Sequence, residues 1–300
     1  MAGVAIGAVG GEEANAEHCS ALASFVPSRY RARLRESRPG RPQGRLSGLR
    51  LVGAWAQGEP VGAGLAAMHG GWASCESLYV VPRLRGRGIG RALLDALEGA
   101  CAEADTIAAV LPDDERFLGI RRLLVAGGWD PPRLRHRQFE VDDGIRASPT
   151  LTAPHDLSRY EVMTFSGSGE RERRELARIA GGIPPGLDPL EDEENVIAPA
   201  SLLLRRAGRI VGWGVSRHFA PGTALIPTVW VAPSERGGGL GALLGLLAIR
   251  ATLDAGYRRV RFVVDADNAP MIRIVERVVL PYGATERGLL ETSRRLGERP

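Results

Sequence analysis

The sequence predicts an α/β fold built twice, as two domains in tandem. Three observations carry that expectation. The phrase VVPRLRGRGIG at residues 80–90 returns as VAPSERGGGLG at 231–241, its Val, Pro, Arg and three Gly displaced by 151 positions, about half of the 300-residue chain. The same order of strand-like and helix-like segments surrounds both copies. Between them, DDGIRASPTLTAPHDLSR at 142–159 is rich in Pro, Ser, Thr and Asp, the composition of a linker. The spacing therefore predicts one domain over residues 1–147 and a second over 148–300.

The elements follow in order. Residues 49–69, LRLVGAWAQGEPVGAGLAAMH, read as two strands joined by a Gly-Glu-Pro turn, and WASCESLYVV at 72–81 as a third strand that stops at Pro82. In IGRALLDALEGACAEA, 89–104, Ile89, Leu93, Leu97 and Ala100 recur on one helical face. A strand at 106–111, a helix at 117–129 and a strand at 134–141 complete the unit. The second half supplies counterparts: a strand pair within 201–219, a strand at 223–231, a helix at 240–256, a strand at 258–267 and a helix at 271–279.

Composition narrows the class. With 44% hydrophobic and 25% charged residues, the chain can bury two ordinary globular cores. No apolar run approaches the roughly 20 residues that span a bilayer. The start, MAGVAIGAVGGEEAN, has no basic segment before its short apolar stretch. The expectation is a cytoplasmic protein with no membrane partner. Cys19, Cys75 and Cys101 are odd in number and lack C-x-x-C spacing, so they read as reduced thiols, with no disulfide framework and no metal site. All 39 Lys+Arg positions are Arg. With a net charge of +4 and a pI near 9.3, an arginine surface for nucleic acid is one reading; codon bias in a GC-rich genome is the simpler one. The absence of lysine excludes a P-loop nucleotide triphosphatase, a protein kinase and a pyridoxal enzyme, each of which needs one.

The repeated phrase has a physical meaning. A strand ends at Pro, an Arg and Gly turn follows, and a helix opens within the glycines, so free N–H groups converge at the positive end of a helix. Such a turn can hold a pyrophosphate. Glycines 86, 88 and 90 alternate, as do 237, 239 and 241. That is not the G-x-G-x-x-G of dinucleotide folds, and no acidic residue closes the following strand as those folds require.

V-x-P-x-x-R-G-x-G-x-G between an apolar strand and an amphipathic helix resembles the acyl-CoA signature of the GNAT N-acetyltransferases. Here it is Val80, Pro82, Arg85, Gly86, Gly88 and Gly90, and again Val231, Pro233, Arg236, Gly237, Gly239 and Gly241. DADNAPM in the second half, with Asn268 and Met271, is similar to the family's next helix start, and Gly128-Trp129 stands where that helix often ends in Gly-Phe. The likeness covers both halves and resembles tandem members of the family. It implies two splayed mixed β-sheets flanked by helices. The pantetheine arm of acetyl-CoA or another acyl-CoA would enter between the fourth and fifth strands and bond to the fourth like an added strand. By position, Leu78, Tyr79 and Val80, or Val229, Trp230 and Val231, would hold the arm. Backbone N–H groups of Arg85, Gly86, Arg87, Gly88, Ile89 and Gly90 would hold the pyrophosphate in the first half; Arg236, Gly237, Gly238, Gly239, Leu240 and Gly241 would do so in the second, with Asn268 nearby.

Departures from the family pattern shape the expected chemistry. Members often carry a Tyr seven residues after the Asn as general acid; the corresponding residues are Val275 and Leu124. A thiolate leaving group, with a conjugate acid near pKa ~8.5, departs with little protonation, whereas an alkylammonium near pKa ~10 must first lose a proton. Glu76, six residues before Pro82, is the candidate base of the first half. Its counterpart is Pro227, which leaves Asp265, Asp267 or His218 for the second. Each has a plain alternative: an exposed strand position for Glu76, a helix cap or turn for the aspartates, a structural histidine for His218 and for His69, its counterpart. The second half is the expected catalytic one, with Asp267 and His218 ahead of Glu76. Residues 180–201, AGGIPPGLDPLEDEENVIAPAS, have no counterpart in the first half and read either as an acidic lid that selects a basic substrate or as a solvated loop.

The expected function is acyl-CoA-dependent N-acyl transfer, most simply N-acetyl transfer, to the amine of a small metabolite or natural product, by a monomer or homodimer. Two alternatives stay open: a transferase fed by aminoacyl-tRNA, the one case in which nucleic acid is a partner, and a protein that binds acyl-CoA without catalysis.

Overall fold

The computed structural model describes residues 4–8, 16–27, 30, 31, 34, 48–152 and 157–297. Residues 1–3 and 9–15 of the apolar start and 153–156 of the expected linker lie outside the described residues. The chain divides into two compact units, Met1–Leu134 with Leu289–Pro300, and Arg135–Gly288.

In the first unit, β1 (Val4–Ala8), β2 (Leu49–Ala56), β3 (Glu59–His69) and β4 (Trp72–Val80) form an antiparallel run, and β5 (Thr106–Pro112) lies parallel to β4. The far edge of β5 is paired antiparallel by residues 289–295 of β12 (Thr285–Arg295), from Leu289 opposite Pro112 to Arg295 opposite Thr106. One face carries α2 (Ile89–Ala100) and α3 (Leu118–Ala126), whose Leu93, Leu94, Leu97 and Leu124 are buried with Val52, Val61 and Ile107. The other face carries α1 (Ala16–Leu22), with Leu22 and Val26 packed on Leu49, Leu51 and Leu65.

The second unit repeats this plan. β7 (Glu161–Thr164), β8 (Leu202–Arg206), β9 (Arg209–Ala220) and β10 (Thr223–Val231) are antiparallel, β11 (Arg259–Asp265) is parallel to β10, and residues 136–141 of β6 (Arg133–Val141) pair antiparallel with β11. After a single helical turn, α4 (Pro149–Thr152), come α5 (Glu170–Ala180), α6 (Leu240–Asp254) and α7 (Ala269–Val278). Helices α6 and α7 pack on one face through Leu244, Ile249, Ile272 and Val275. Leu176 of α5 and the segment 183–198 pack on the other, over Trp213, Val215 and Trp230.

The boundary expected at 147/148 is corrected by strand exchange: the closing strand of each half completes the sheet of the other unit. Alternation in LRHRQFEV identifies a strand, but both units offer the same free antiparallel edge, so tertiary placement decides the partner. The strands at 4–8, 161–164 and 285–295 and the helices at 16–22 and 170–180 also stand beyond what the sequence pattern identified.

Two features set up the site. Parallel pairing of β10 with β11 covers only Thr223–Ile226 against Arg259–Phe262, and that of β4 with β5 only Trp72–Ser74 against Thr106–Ala108. Beyond those pairs the strands diverge, and alternate N–H and C=O groups of the fourth strand face a gap. A register shift in each fourth strand marks the opening: Glu76 is the extra residue between Cys75 and Ser77, and Ile226-Pro227 stand between Leu225 and Thr228. The second feature is close approach at Val-Gly-x-Gly in the third strand. A Cβ on Gly62 would stand 2.7 Å from the Tyr79 carbonyl oxygen, and one on Gly212 2.9 Å from that of Trp230. Gly212→Val is therefore expected to cost about 1–3 kcal/mol or more through overpacking, read as a lowered Tm in thermal denaturation; an unchanged Tm would mean that β10 yields freely.

Candidate active site

Both glycine loops are built alike. Each strand ends in a short 3-10 turn, Pro82–Leu84 or Pro233–Glu235. The signature arginine then folds back: Arg85 Nε donates to the Val80 carbonyl at 2.9 Å, and Arg236 Nε to that of Val231 at 2.9 Å. These side chains hold the loop against the strand end, a role that spacing alone does not disclose. Gly86 and Gly88 (φ 75° and 82°), like Gly237 and Gly239 (φ 98° and 77°), occupy the left-handed region that favours glycine. Gly88 and Gly239 are the N-caps of α2 and α6, and neither helix start has a side-chain cap. The first N–H groups, at Ile89 and Gly90 or Leu240 and Gly241, therefore point outward with no acceptor in their own helix.

Side chains of the expected arm-binding residues are mostly committed to packing. Leu78 and Val80 pack on the α2 core, and Val229 and Val231 on the α6 core. Tyr79 stacks on Phe25 at 5.4 Å, and Trp230 on Trp213 at 4.3 Å. What these residues can offer a ligand is their backbone, which suits recognition by strand addition.

Next to the loops the two units differ. In the first, Leu123 Cδ2 lies 3.4 Å from the position of a Cβ on Gly90, and Arg91 Nη1 donates to the Ala126 carbonyl at 3.0 Å, drawing α3 onto the start of α2. Arg87 is exposed at the loop tip. In the second, a cavity of about 650 Å³ opens between α6 and α7, lined by Gly238, Gly239 and Leu240 on one side and Arg273, Ile274 and Arg277 on another. Leu157, Tyr160 and Glu235 form a further wall. The Tyr160 hydroxyl donates to Glu235 Oε2 at 2.7 Å, and Arg206 Nη1 to Glu235 Oε1 at 2.8 Å. Those two donors hold the Glu235 carboxyl below the usual carboxylate range, while the bond to Glu235 raises the Tyr160 hydroxyl.

The proposed bases separate sharply. Glu76 lies where the first gap opens, accepts from Ser74 Oγ at 2.5 Å, and through that hydroxyl connects to His69 Nε2 at 3.0 Å. His69 stacks on Trp72. Neighbouring Cys75 is held as a thiol, pushed up to about 12 by burial first and then by Glu76 and Cys101. In the second unit, His218 sits opposite Ala224, beside the paired part of β10 and not the open part, and its ring nitrogen is bonded to the Tyr257 hydroxyl. Asp265 pairs with His136 Nδ1 at 2.8 Å. Asp267 lies beyond the end of β11, 79% exposed, with Arg135 at 3.6 Å. Asn268 caps α7, its Oδ1 accepting from the Met271 N–H at 3.2 Å. Val275 and Leu124, at the family's Tyr position, are core side chains.

The segment 180–201 has a double character. Its Leu187 carbonyl accepts from Trp213 Nε1 at 3.1 Å and from Thr228 Oγ1 at 3.3 Å, which fixes it over β10 where the gap begins. Residues Glu191 to Glu194 remain exposed. Beneath it, Arg217 is buried, and its Nε has no hydrogen-bond partner among the described residues. Burial lowers its pKa, against the raising fields of Asp192, Glu191 and Asp188. Sequence reasoning missed Arg217, Tyr160, Glu235, Arg273 and Arg277. Only the i, i+4 spacing of the last pair was visible beforehand.

Comparison with known proteins places this geometry. Residues 12–117 and 172–278 match the acetyltransferase (GNAT) family. The chain is 29% identical over 253 residues to the mycothiol acetyltransferase of Clavibacter michiganensis subsp. michiganensis, covering 79% of this chain and 78% of that protein. It is 30% identical over 229 residues to the mycothiol acetyltransferase of Thermomonospora curvata, covering 70% and 71%. In fold it is similar to a tandem GNAT protein from the clavulanic acid biosynthesis pathway, with TM-score 0.70, 18% identity and coverage of 99% of this chain and 100% of that one. It is also similar to a GCN5-related N-acetyltransferase from Sphaerobacter thermophilus, with TM-score 0.67, 19% identity and coverage of 99% and 96%. With the signature loop, the splayed strands and the family match each present twice, the chain belongs to the acetyltransferase (GNAT) family, as a tandem, two-copy member.

Proposed function

We propose that the chain moves an acetyl group from acetyl-CoA to the amine of a small acceptor related to mycothiol, and that the second unit does the chemistry. One observation carries the choice of unit: a cavity of about 650 Å³ adjoins Gly238 and Gly239 of the second glycine loop. The loop amides at 237–241 would hold the pyrophosphate, and the open edge of Val229–Val231 would hold the pantetheine arm, placing the thioester beside Thr228 and Pro227. Bound acetyl-CoA supplies the activated acyl carbon. The chain orients it, and a fourth-strand N–H directed into the gap stabilises the oxyanion. Pro227, with no N–H and no acid, offers neither a proton acceptor nor a donor there. The acceptor class is suggested by the named relatives, whose similarity extends over both units. The exposed acidic run at 191–194, carried by a segment fixed to β10, suits an amine that approaches as a cation and is neutral when it attacks.

The test is acetyl-CoA consumption with a mycothiol-type amine as acceptor. Turnover is expected to need neither ATP nor tRNA and to survive ribonuclease. Loss of activity after ribonuclease would favour the tRNA-fed alternative, and CoA binding without any turnover would favour the non-catalytic one.

A further inference from the structure

We infer that the second unit carries a separate station for the 3′-phosphate of CoA, formed by Arg273 and Arg277, and that this station restricts the donor to free CoA thioesters as against thioesters on carrier proteins. The inference rests on the acyl-CoA reading of the glycine loop.

The geometry points there in steps. The loop amides at the N-terminus of α6 suit one phosphate cluster, the pyrophosphate. The cavity does not end at that loop. It continues to Pro270, Arg273, Ile274 and Arg277 on α7, with Leu157 and Tyr160 forming another wall. Arg273 and Arg277 are one turn apart on the same helix face, both exposed. Among the described residues neither has an ion-pair partner, although Glu276 between them is paired with Arg137 at 3.0 Å. Glu235, the acid on the cavity wall, is neutralised by Arg206. The cavity thus has two uncompensated cations away from the loop and an apolar and aromatic surface beside them.

A donor made only of a phosphopantetheine arm ends in one phosphate and would leave that wall empty. Free CoA continues through its pyrophosphate to an adenosine that bears a further dianionic phosphate. The two guanidinium groups match that charge and can bond it through paired N–H donors. An adenine ring is flat and largely apolar on its faces, which suits Leu157 and Tyr160.

The experiment compares CoA with 3′-dephospho-CoA by titration calorimetry, using the full chain and its Arg273→Ala/Arg277→Ala and Arg273→Lys/Arg277→Lys variants. In the parent, one class of site is expected to bind CoA about tenfold or more tighter than 3′-dephospho-CoA. The double alanine variant should lose that preference and keep its affinity for 3′-dephospho-CoA within about twofold; the lysine pair should retain part of it. Equal affinities in the parent, or a preference that survives the alanine pair, would overturn the inference. A different result bears on the underlying reading: if neither ligand binds, or if Gly239→Glu leaves CoA stoichiometry intact, the acyl-CoA site of the second unit is itself wrong.

Discussion

Gly239→Glu is expected to weaken CoA binding by the second unit about a hundredfold or more, with little effect on the fold. Gly239 caps α6 at φ 77°, in the left-handed region. A Cβ added there would meet no heavy atom within 4 Å. The protein itself can therefore accept a side chain, at a backbone cost of about 1–2 kcal/mol. A bound pyrophosphate cannot, because the new carboxylate would stand where the loop amides present their N–H groups. Like charges so juxtaposed cost several kcal/mol, hence the predicted two or more decades in Kd. Gly239→Ala separates the terms: it carries the backbone strain without the charge and should lose only a few-fold. Gly88→Glu should act on the first unit alone. Calorimetric stoichiometry decides the matter. A Gly239→Glu protein that takes up CoA as the parent does would remove the loop from the binding site.

The same loop marks where the sequence was legible. A residue such as Gly239 announces its conformation, since two alternating glycines before an apolar helix have few other uses, and duplication 151 residues away made coincidence a poor account. The central strands were legible for a similar reason: their alternation and their turns are local. The exchange of β6 and β12 was not, because pairing partners are chosen in three dimensions and both sheets present an equivalent edge. Functional side chains divide the same way. Asn268 was placed correctly at a helix start, and its oxygen serves the cap. Asp267 and His218 were singled out for chemical type; their partners, Arg135 for the first and the Tyr257 hydroxyl for the second, are contacts of which sequence gives no sign. Tyr160 and Glu235 were invisible for the opposite reason: a tyrosine beside a linker and a glutamate in a loop gain meaning only once they touch.

The proton balance of the reaction yields the second large effect. Below the pKa of the acceptor's amine, kcat/KM is expected to fall about tenfold for each pH unit, and the midpoint should belong to the free acceptor and not to the protein. Pro227 replaces the acid that Glu76 supplies in the first unit, Val275 is a core residue in place of a phenol, His218 lies beside the paired part of the sheet, and Asp265 and Asp267 are paired with His136 and Arg135. We expect none of these second-unit side chains to take the amine's proton, so that the reactive form is the fraction of acceptor that is already neutral. That fraction drops by one decade per pH unit below the pKa. A series of acceptors differing in amine pKa should therefore shift the acidic limb in step with each amine. Asp267→Asn and His218→Ala should leave both the limb and the plateau within about threefold of the parent. Two outcomes would contradict this account in different ways. A limb that stays fixed while the acceptor changes would place a titrating base on the enzyme. A loss of about a hundredfold on Glu76→Gln, with the limb abolished, would move the chemistry to the first unit, where Glu76, Ser74 and His69 form a connected path for a proton from the gap to the surface.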